Sequence, residues 1–103
     1  MALELRPNCE CCDKDLPVDA MDAMICTYEC TFCKTCVDEV LSNVCPNCGG
    51  GFSSRPIRPA KDWRKGVSRK HQPPSDKRHL LNYEMDDIRA LSERLKNVPP
   101  EDR

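Results

Sequence analysis

All nine cysteines of this chain lie between Cys9 and Cys48. With Cys11 set aside, the other eight fall into four close pairs: Cys9-x2-Cys12, Cys26-x3-Cys30, Cys33-x2-Cys36 and Cys45-x2-Cys48. Close thiol pairs place two sulfurs on one turn of backbone with little strain, and four such pairs supply enough ligands for two tetrahedral zinc sites. The pairs can share two ions sequentially, first with second and third with fourth. They can also share them crosswise, first with third and second with fourth. Spacing alone leaves both open.

The rest of the chain needs such a staple. Leu, Ile, Val and Phe make up 19 of 103 residues, under about one fifth and low for a chain that folds on its core alone. Small domains of this kind are held by disulfides or by metal. The N-terminal residues contain no apolar run resembling an export signal, and no later stretch is apolar enough to cross a bilayer. The expectation is a cytoplasmic protein in a reducing compartment, where close cysteine pairs bind metal rather than oxidise. The odd cysteine count points the same way. Zinc, two ions per chain, is the expected cofactor, and its role is structural.

Charge divides the chain into three parts, and the domain reading follows it. Residues 1–52 carry a net charge of −6, residues 53–79 of +7 and residues 80–103 of −2, within an overall −1. An acidic zinc module is thus followed by a basic, Pro-containing arm and then by an amphipathic helix with its tail. Within the module, residues 1–8 read as a lead-in strand and Asp13–Asp22 as a loop. Ala23–Tyr28 has strand character, Cys30–Cys33 reads as the turn of a hairpin, and Lys34–Asn43 as a short helix stopped by Asn43 and Pro46. Gly49, Gly50 and Gly51 supply the positive-φ freedom a metal knuckle needs, and Phe52 caps the core. The arm, with Arg55-Pro56 and Arg58-Pro59, reads as extended and tethered or disordered. Leu81, Met85, Ile88, Leu91, Leu95 and Val98 then fall on one stripe of a helix expected from Asn82 to Asn97.

The spacing C-x2-C-x13-C-x3-C-x2-C-x2-C-x8-C-x2-C, closed by Cys45-Pro46-Asn47-Cys48, resembles a RING finger in which Cys30 stands where many have histidine. The stretch from Leu5-Arg6-Pro7-Asn8-Cys9 through Cys48-Gly49-Gly50 also resembles a family of small, uncharacterised bacterial cysteine-rich proteins. The first resemblance implies a zinc-stabilised α+β fold, RING-like or of treble-clef type, with a cross-braced double site. Site one would be Cys9, Cys12, Cys33 and Cys36; site two would be Cys26, Cys30, Cys45 and Cys48. RING domains typically dock a ubiquitin-conjugating enzyme. The positions that would do so are altered: Cys11 precedes the second ligand, Val40 replaces an aromatic, and glycine follows the last ligand. The ligand pattern is kept while that docking surface is mostly lost, so a ubiquitin-ligase-like role ranks last.

Catalysis is not expected. Four thiolates fill a zinc tetrahedron and leave no open position, and His71 and His79 have no ligand spacing. Cys11 is read as a small packed residue whose pKa is raised by Glu10 and Asp13. Two classes of partner remain. The leading one is a protein partner, or self-association through the C-terminal helix, for an interaction module or adaptor. The alternative is nucleic acid, bound through Arg55, Arg58, Lys61, Arg64, Lys65, Arg69 and Lys70 with Trp63 stacking on a base; the competing reading is that the arm folds back on the acidic module. No small-molecule substrate is expected.

Overall fold

The computed structural model describes residues 2–103. The expected hairpin forms, with its turn displaced. β1 (Ala23–Ile25) and β2 (Thr31–Cys33) pair antiparallel, Ala23 opposite Cys33 and Ile25 opposite Thr31. The turn spans Cys26–Cys30 rather than Cys30–Cys33. There the Cys26 N–H donates to the Cys30 carbonyl and the Glu29 N–H to that of Cys26, each at 3.2 Å, and Glu29 takes φ 67°. The displacement has a simple cause. Thr31 and Phe32 carry the β-branched and aromatic side chains that suit a strand, and both are fully buried. They cannot serve as a solvated turn.

A third strand completes the sheet. β3 (Ser53–Ser54) pairs antiparallel with the other edge of β1, giving the order β2-β1-β3. Two serines give no periodic signal, which is why the sequence reading places them in the arm. Next to them Phe52 meets Phe32 edge to face, with ring centroids 5.3 Å apart and planes at 70°, a favoured aromatic geometry.

The helix after β2 begins where expected. α1 (Lys34–Cys36) starts at the residue after the strand and continues as a π-helical turn, Val37–Leu41. The expected α-helix to Asn43 is therefore α only in its first turn. In the wider turn the Val37 carbonyl accepts the N–H of both Ser42 and Asn43. Both residues are left-handed, with φ 51° and 59°, and this pair ends the helix. The apolar side chains Val37 and Leu41 face inward and are buried with Leu16, Phe32 and Val44.

The amphipathic stripe forms α2 (Met85–Leu95), shorter at each end than the expected Asn82–Asn97. It packs on the π-helical turn Val37–Leu41. Ile88 enters the core. Ser92, off the predicted stripe, is buried too, and its hydroxyl donates to the Leu41 carbonyl at 2.8 Å. A helix end has carbonyls without intrahelical partners, so a serine there is worth more than another methyl group. Met85, on the stripe, stays exposed because it sits at the helix start, beyond the module's edge. A 3₁₀ turn, Pro100–Asp102, follows, and the Arg103 guanidinium donates to the carbonyls of Val98, Asn43 and Gly49 at 2.8 to 3.1 Å.

The lead-in segment is extended but is no ladder strand. Its backbone groups are used singly: the Pro7 carbonyl accepts the Leu16 N–H and Asn8 bridges to Asp15. Leu5 is buried. The basic arm, expected to be tethered or disordered, is bonded back at several points. The Arg55 guanidinium, only 5% exposed, donates to the carbonyls of Arg6, Leu16 and Pro17 at 2.8 to 3.3 Å. Arg58 donates to Leu3 and Gln72 carbonyls, and Ser75 N–H to that of Leu5. Arg78 forms ion pairs with Asp13 at 2.8 Å and Asp15 at 2.7 Å. The whole is a small α+β protein with a three-stranded sheet and two helices. Among the described residues no helix is long and apolar enough to cross a membrane.

Candidate metal centres

The first and last cysteine pairs are built alike. In the first, the Cys9 N–H donates to the Lys14 carbonyl and the Asp13 N–H to the Cys9 carbonyl, both at 2.8 Å. In the last, the Cys45 N–H donates to Gly50 at 2.8 Å and the Gly49 N–H to Cys45 at 2.7 Å. Each is a knuckle closed at the same offsets, and in each the residue after the second cysteine has positive φ: 64° at Asp13, 77° at Gly49. Aspartate tolerates that region better than most residues. At Gly49 the tolerance would fail for a second reason, because an added Cβ would lie 3.2 Å from the Leu95 methyl.

The middle pairs come from different elements. Cys33 ends β2 and Cys36 lies one helical turn on, so the strand-to-helix junction brings both sulfurs to one side. Cys26 and Cys30 are the two feet of the hairpin turn.

These elements interleave. The sulfurs of Cys9, Cys12, Cys33 and Cys36 all lie within 4.8 Å of one another, and so do those of Cys26, Cys45 and Cys48. First pair meets third, and second meets fourth. Cys30 lies beside the second group without being inside that distance of all three; its sulfur meets the Cys45 thiol and the Asn47 amide, the latter at 3.4 Å. All nine cysteines are free thiols.

The donor chemistry fits a thiophilic dication. Cys12 and Cys33 sulfurs are 3.8 Å apart, far beyond the ~2.05 Å of a disulfide. Metal–sulfur bonds of ~2.3 Å in a tetrahedron give an edge of about 3.8 Å. Around the second group, N–H donors already point at sulfur: Tyr28 to Cys26 at 3.3 Å, Gly50 to Cys48 at 3.4 Å and the Asn47 amide to Cys30 at 3.4 Å. Such donors orient thiolate ligands and spread their charge.

Crowding sets the protonation of the thiols. Burial pushes Cys9 and Cys26 up to about 11, and raises Cys36 further, helped by neighbouring thiols. Cys30 is lowered to about 5, chiefly because Cys45 donates a hydrogen bond to its sulfur, and Cys45 is raised in turn by that same contact. For Cys12, burial opposes ionisation, but the Lys14 backbone and the adjacent thiols outweigh it and lower the value. By themselves these thiols can share few negative charges. A bound dication inverts that balance and allows all to ionise.

Cys11 lies half-buried outside both groups, its thiol against Cys36. Its pKa is raised, as expected, but by burial first and then by Cys12 and Cys33. Glu10 and Asp13, the expected cause, are turned elsewhere. The buried Glu10 carboxylate accepts from the Thr31 N–H at 2.6 Å and from Arg6 at 2.8 Å, tying the first knuckle to β2. Asp13 accepts from Asn8 and Arg78.

The candidate nucleic-acid residues separate into two sets. Arg55 and Arg58 hold backbone carbonyls, as described above. Lys61, Trp63, Arg64, Lys65 and Lys70 are exposed, and Arg69 is half-buried. A signal for the buried Arg55 existed in its position between a serine pair and a proline, but a buried arginine without an acid partner is too rare to predict from that.

A family model described as "Protein of unknown function (DUF1272)" matches residues 2–58, which contain all nine cysteines and β3. An uncharacterized protein of Rhizobium meliloti (strain 1021) is 62% identical over 63 residues, covering 61% of this chain and 75% of that protein. No solved structure matches the chain.

Proposed function

The chain belongs to the DUF1272 family, and from its own geometry we propose that it is a zinc-stabilised interaction module. One observation carries this reading: the thiols of the first and third pairs converge, and Cys26 of the second pair meets both thiols of the fourth, from four separate turns of chain. Only a shared ligand gives such convergence of free thiols a stabilising role. We take the ion as zinc, because four sulfurs at tetrahedral spacing are its usual structural site. The second ion uses Cys26, Cys45 and Cys48 with Cys30 as its fourth ligand, after a small closing movement. The order knuckle, hairpin, helix with a ligand pair at the strand-to-helix junction supports a treble-clef reading of the first site. The interleaving supports a cross-braced, RING-like reading of the whole.

The metal's work in this reading is folding. Four thiolates leave no coordination position for substrate or water, so this reading assigns no chemistry to the metal itself. Nine free thiols fit a reducing cytoplasm. The business of such a module is contact: a protein partner, a second copy of the chain, or nucleic acid at the basic segment. A ubiquitin-ligase-like role ranks below these, since the positions that would dock a conjugating enzyme are altered.

Elemental analysis and native mass spectrometry test the metal reading. Two zinc ions per chain are expected. Cys36→Ser and Cys45→Ser should each lower the count by one ion. A folded chain without metal, or one carrying disulfides, ends the proposal.

A further inference from the structure

We propose that the segment 59–72 is a preformed loop that binds single-stranded nucleic acid, stacking Trp63 on a base and setting lysines and arginines on its phosphates. The inference rests on the interaction-module reading and names the class of partner.

The loop is closed by its own hydrogen bonds. Its ends meet where the Arg69 N–H donates to the Pro59 carbonyl at 2.9 Å. At its tip, Arg64 and Val67 bridge across a tight turn, the Val67 N–H donating to the Arg64 carbonyl at 3.2 Å. Gly66, with φ 79°, occupies the third position of that turn, where glycine is favoured for its conformational freedom. Inside, the buried Ser68 and the Gln72 side chain tie the returning strand: Gln72 donates to the Gly66 carbonyl at 3.0 Å and accepts the Ser68 N–H at 3.3 Å. Asp62, the loop's acid, turns inward to the Gly66 N–H at 3.3 Å and the His71 ring at 2.7 Å.

The outside of the loop is different. Lys61, Arg64, Lys65 and Lys70 are exposed, and none of them forms an ion pair among the described residues. The bases that do fold back on the acidic module, Arg55, Arg58 and Arg78, all lie outside the loop. Trp63, the chain's single tryptophan, is 76% exposed. A tryptophan contributes most when buried, and here it lies in solvent just before the hydrogen-bonded turn 64–67. Lys61, Trp63 and Lys65 lie within about 14 Å by chain length alone. Closure of the loop brings Lys70 back toward Lys61. An aromatic face amid unpaired cations matches what a single strand offers, a base plane between phosphates. A duplex hides its base planes. Val67 adjoins the exposed Leu3 and Ile57, and the vesicle arm of the test addresses a bilayer surface.

The single tryptophan makes the test direct. The zinc-loaded full chain is titrated with 15-mer oligo-dT, 15-mer oligo-U, a duplex of equal length and vesicles containing phosphatidylserine. Trp63 fluorescence and oligonucleotide anisotropy are followed. Both single strands should quench Trp63 and bind more tightly than the duplex, and the stronger of the two identifies DNA or RNA as the preferred source. With four phosphates engaged, log K against log salt should slope at about −3, less steeply by about 1.4 in a Lys65→Gln/Lys70→Gln variant. Trp63→Ala should weaken binding about fivefold or more, and Trp63→Phe should recover most of it. Absence of binding at low salt overturns the inference, as do vesicle binding alone and single-strand binding indifferent to all these substitutions. Zinc content and circular dichroism on the same samples keep the outcomes separate. Lost binding with intact metal and fold refutes the loop's role alone, whereas a folded metal-free chain refutes the module.

Discussion

At the residue scale, position rather than type decides what a polar side chain does. Arg55 and Lys65 belong to one basic run, yet Arg55 is buried against three carbonyls and Lys65 is free in solvent. Burial lowers the Arg55 pKa, with no acid beside it to oppose the shift. Arg55→Ala should leave buried carbonyls without a donor and cost roughly 2–3 kcal/mol, while Lys65→Ala should change stability by less than about 0.5 kcal/mol. Urea unfolding of both variants checks the contrast. Gly49→Ala places a Cβ at positive φ and 3.2 Å from Leu95, so a loss of about 1 kcal/mol or more is expected, with weaker retention of metal by the last knuckle. Asp13, at the matching position of the first knuckle, should gain stability on replacement by glycine only if the φ strain outweighs its bonds to Asn8 and Arg78.

At the scale of elements, α2 is the informative case. Its stripe of Ile88, Leu91 and Leu95 turns toward the module, and this much was legible from periodicity. Ser92 was not legible, because a serine on a helix usually reads as a surface residue. Its partner, the Leu41 carbonyl, is created by the end of another helix. Ile88→Ala should destabilise by about 2–4 kcal/mol through the cavity it leaves, and Ser92→Ala by about 1 kcal/mol. Met85→Ala, on the stripe but exposed, should stay within about 0.5 kcal/mol. Thermal unfolding of the three variants separates a helix packed on this module from one held for a partner, which would leave all three near the parent. The hairpin carries a related lesson. Its existence was readable in Ala23–Tyr28, but the strand stops at Ile25 and the turn moved toward the N-terminus because burial of Thr31 and Phe32 outweighed the turn-like look of the cysteines beside them.

At the scale of the molecule, the proposed zinc reading makes metal and fold one equilibrium. A chelator strong enough to remove zinc should unfold the cysteine module cooperatively, seen as loss of far-ultraviolet dichroism and reversed by added zinc. Acid should do the same. Raised thiols such as Cys9 and Cys26, at about 11, hold protons that a metal must displace, so binding releases protons and apparent affinity rises with pH. The sign follows: falling pH returns protons to sulfur and releases metal. Titration of zinc release between about pH 8 and 4 with a chromogenic chelator should show a monotonic loss toward acid. A flat profile would count against thiolate ligation.

The sequence by itself determined that cysteine pairs organise the N-terminal half, that an amphipathic helix closes the chain, and that a basic segment lies between them. Those are local properties, written in spacing, periodicity and charge. Which pairs share a cluster, which arginine is buried, and where the basic segment is anchored were decided only by tertiary structure. Each depends on groups far apart in the chain: Cys12 meets Cys33, Arg55 reaches Arg6, Ser92 finds Leu41. The physical reason is that a thiol pair or an arginine carries its capacity to bond in its own atoms, whereas its partner is chosen by how strands and helices close around the core.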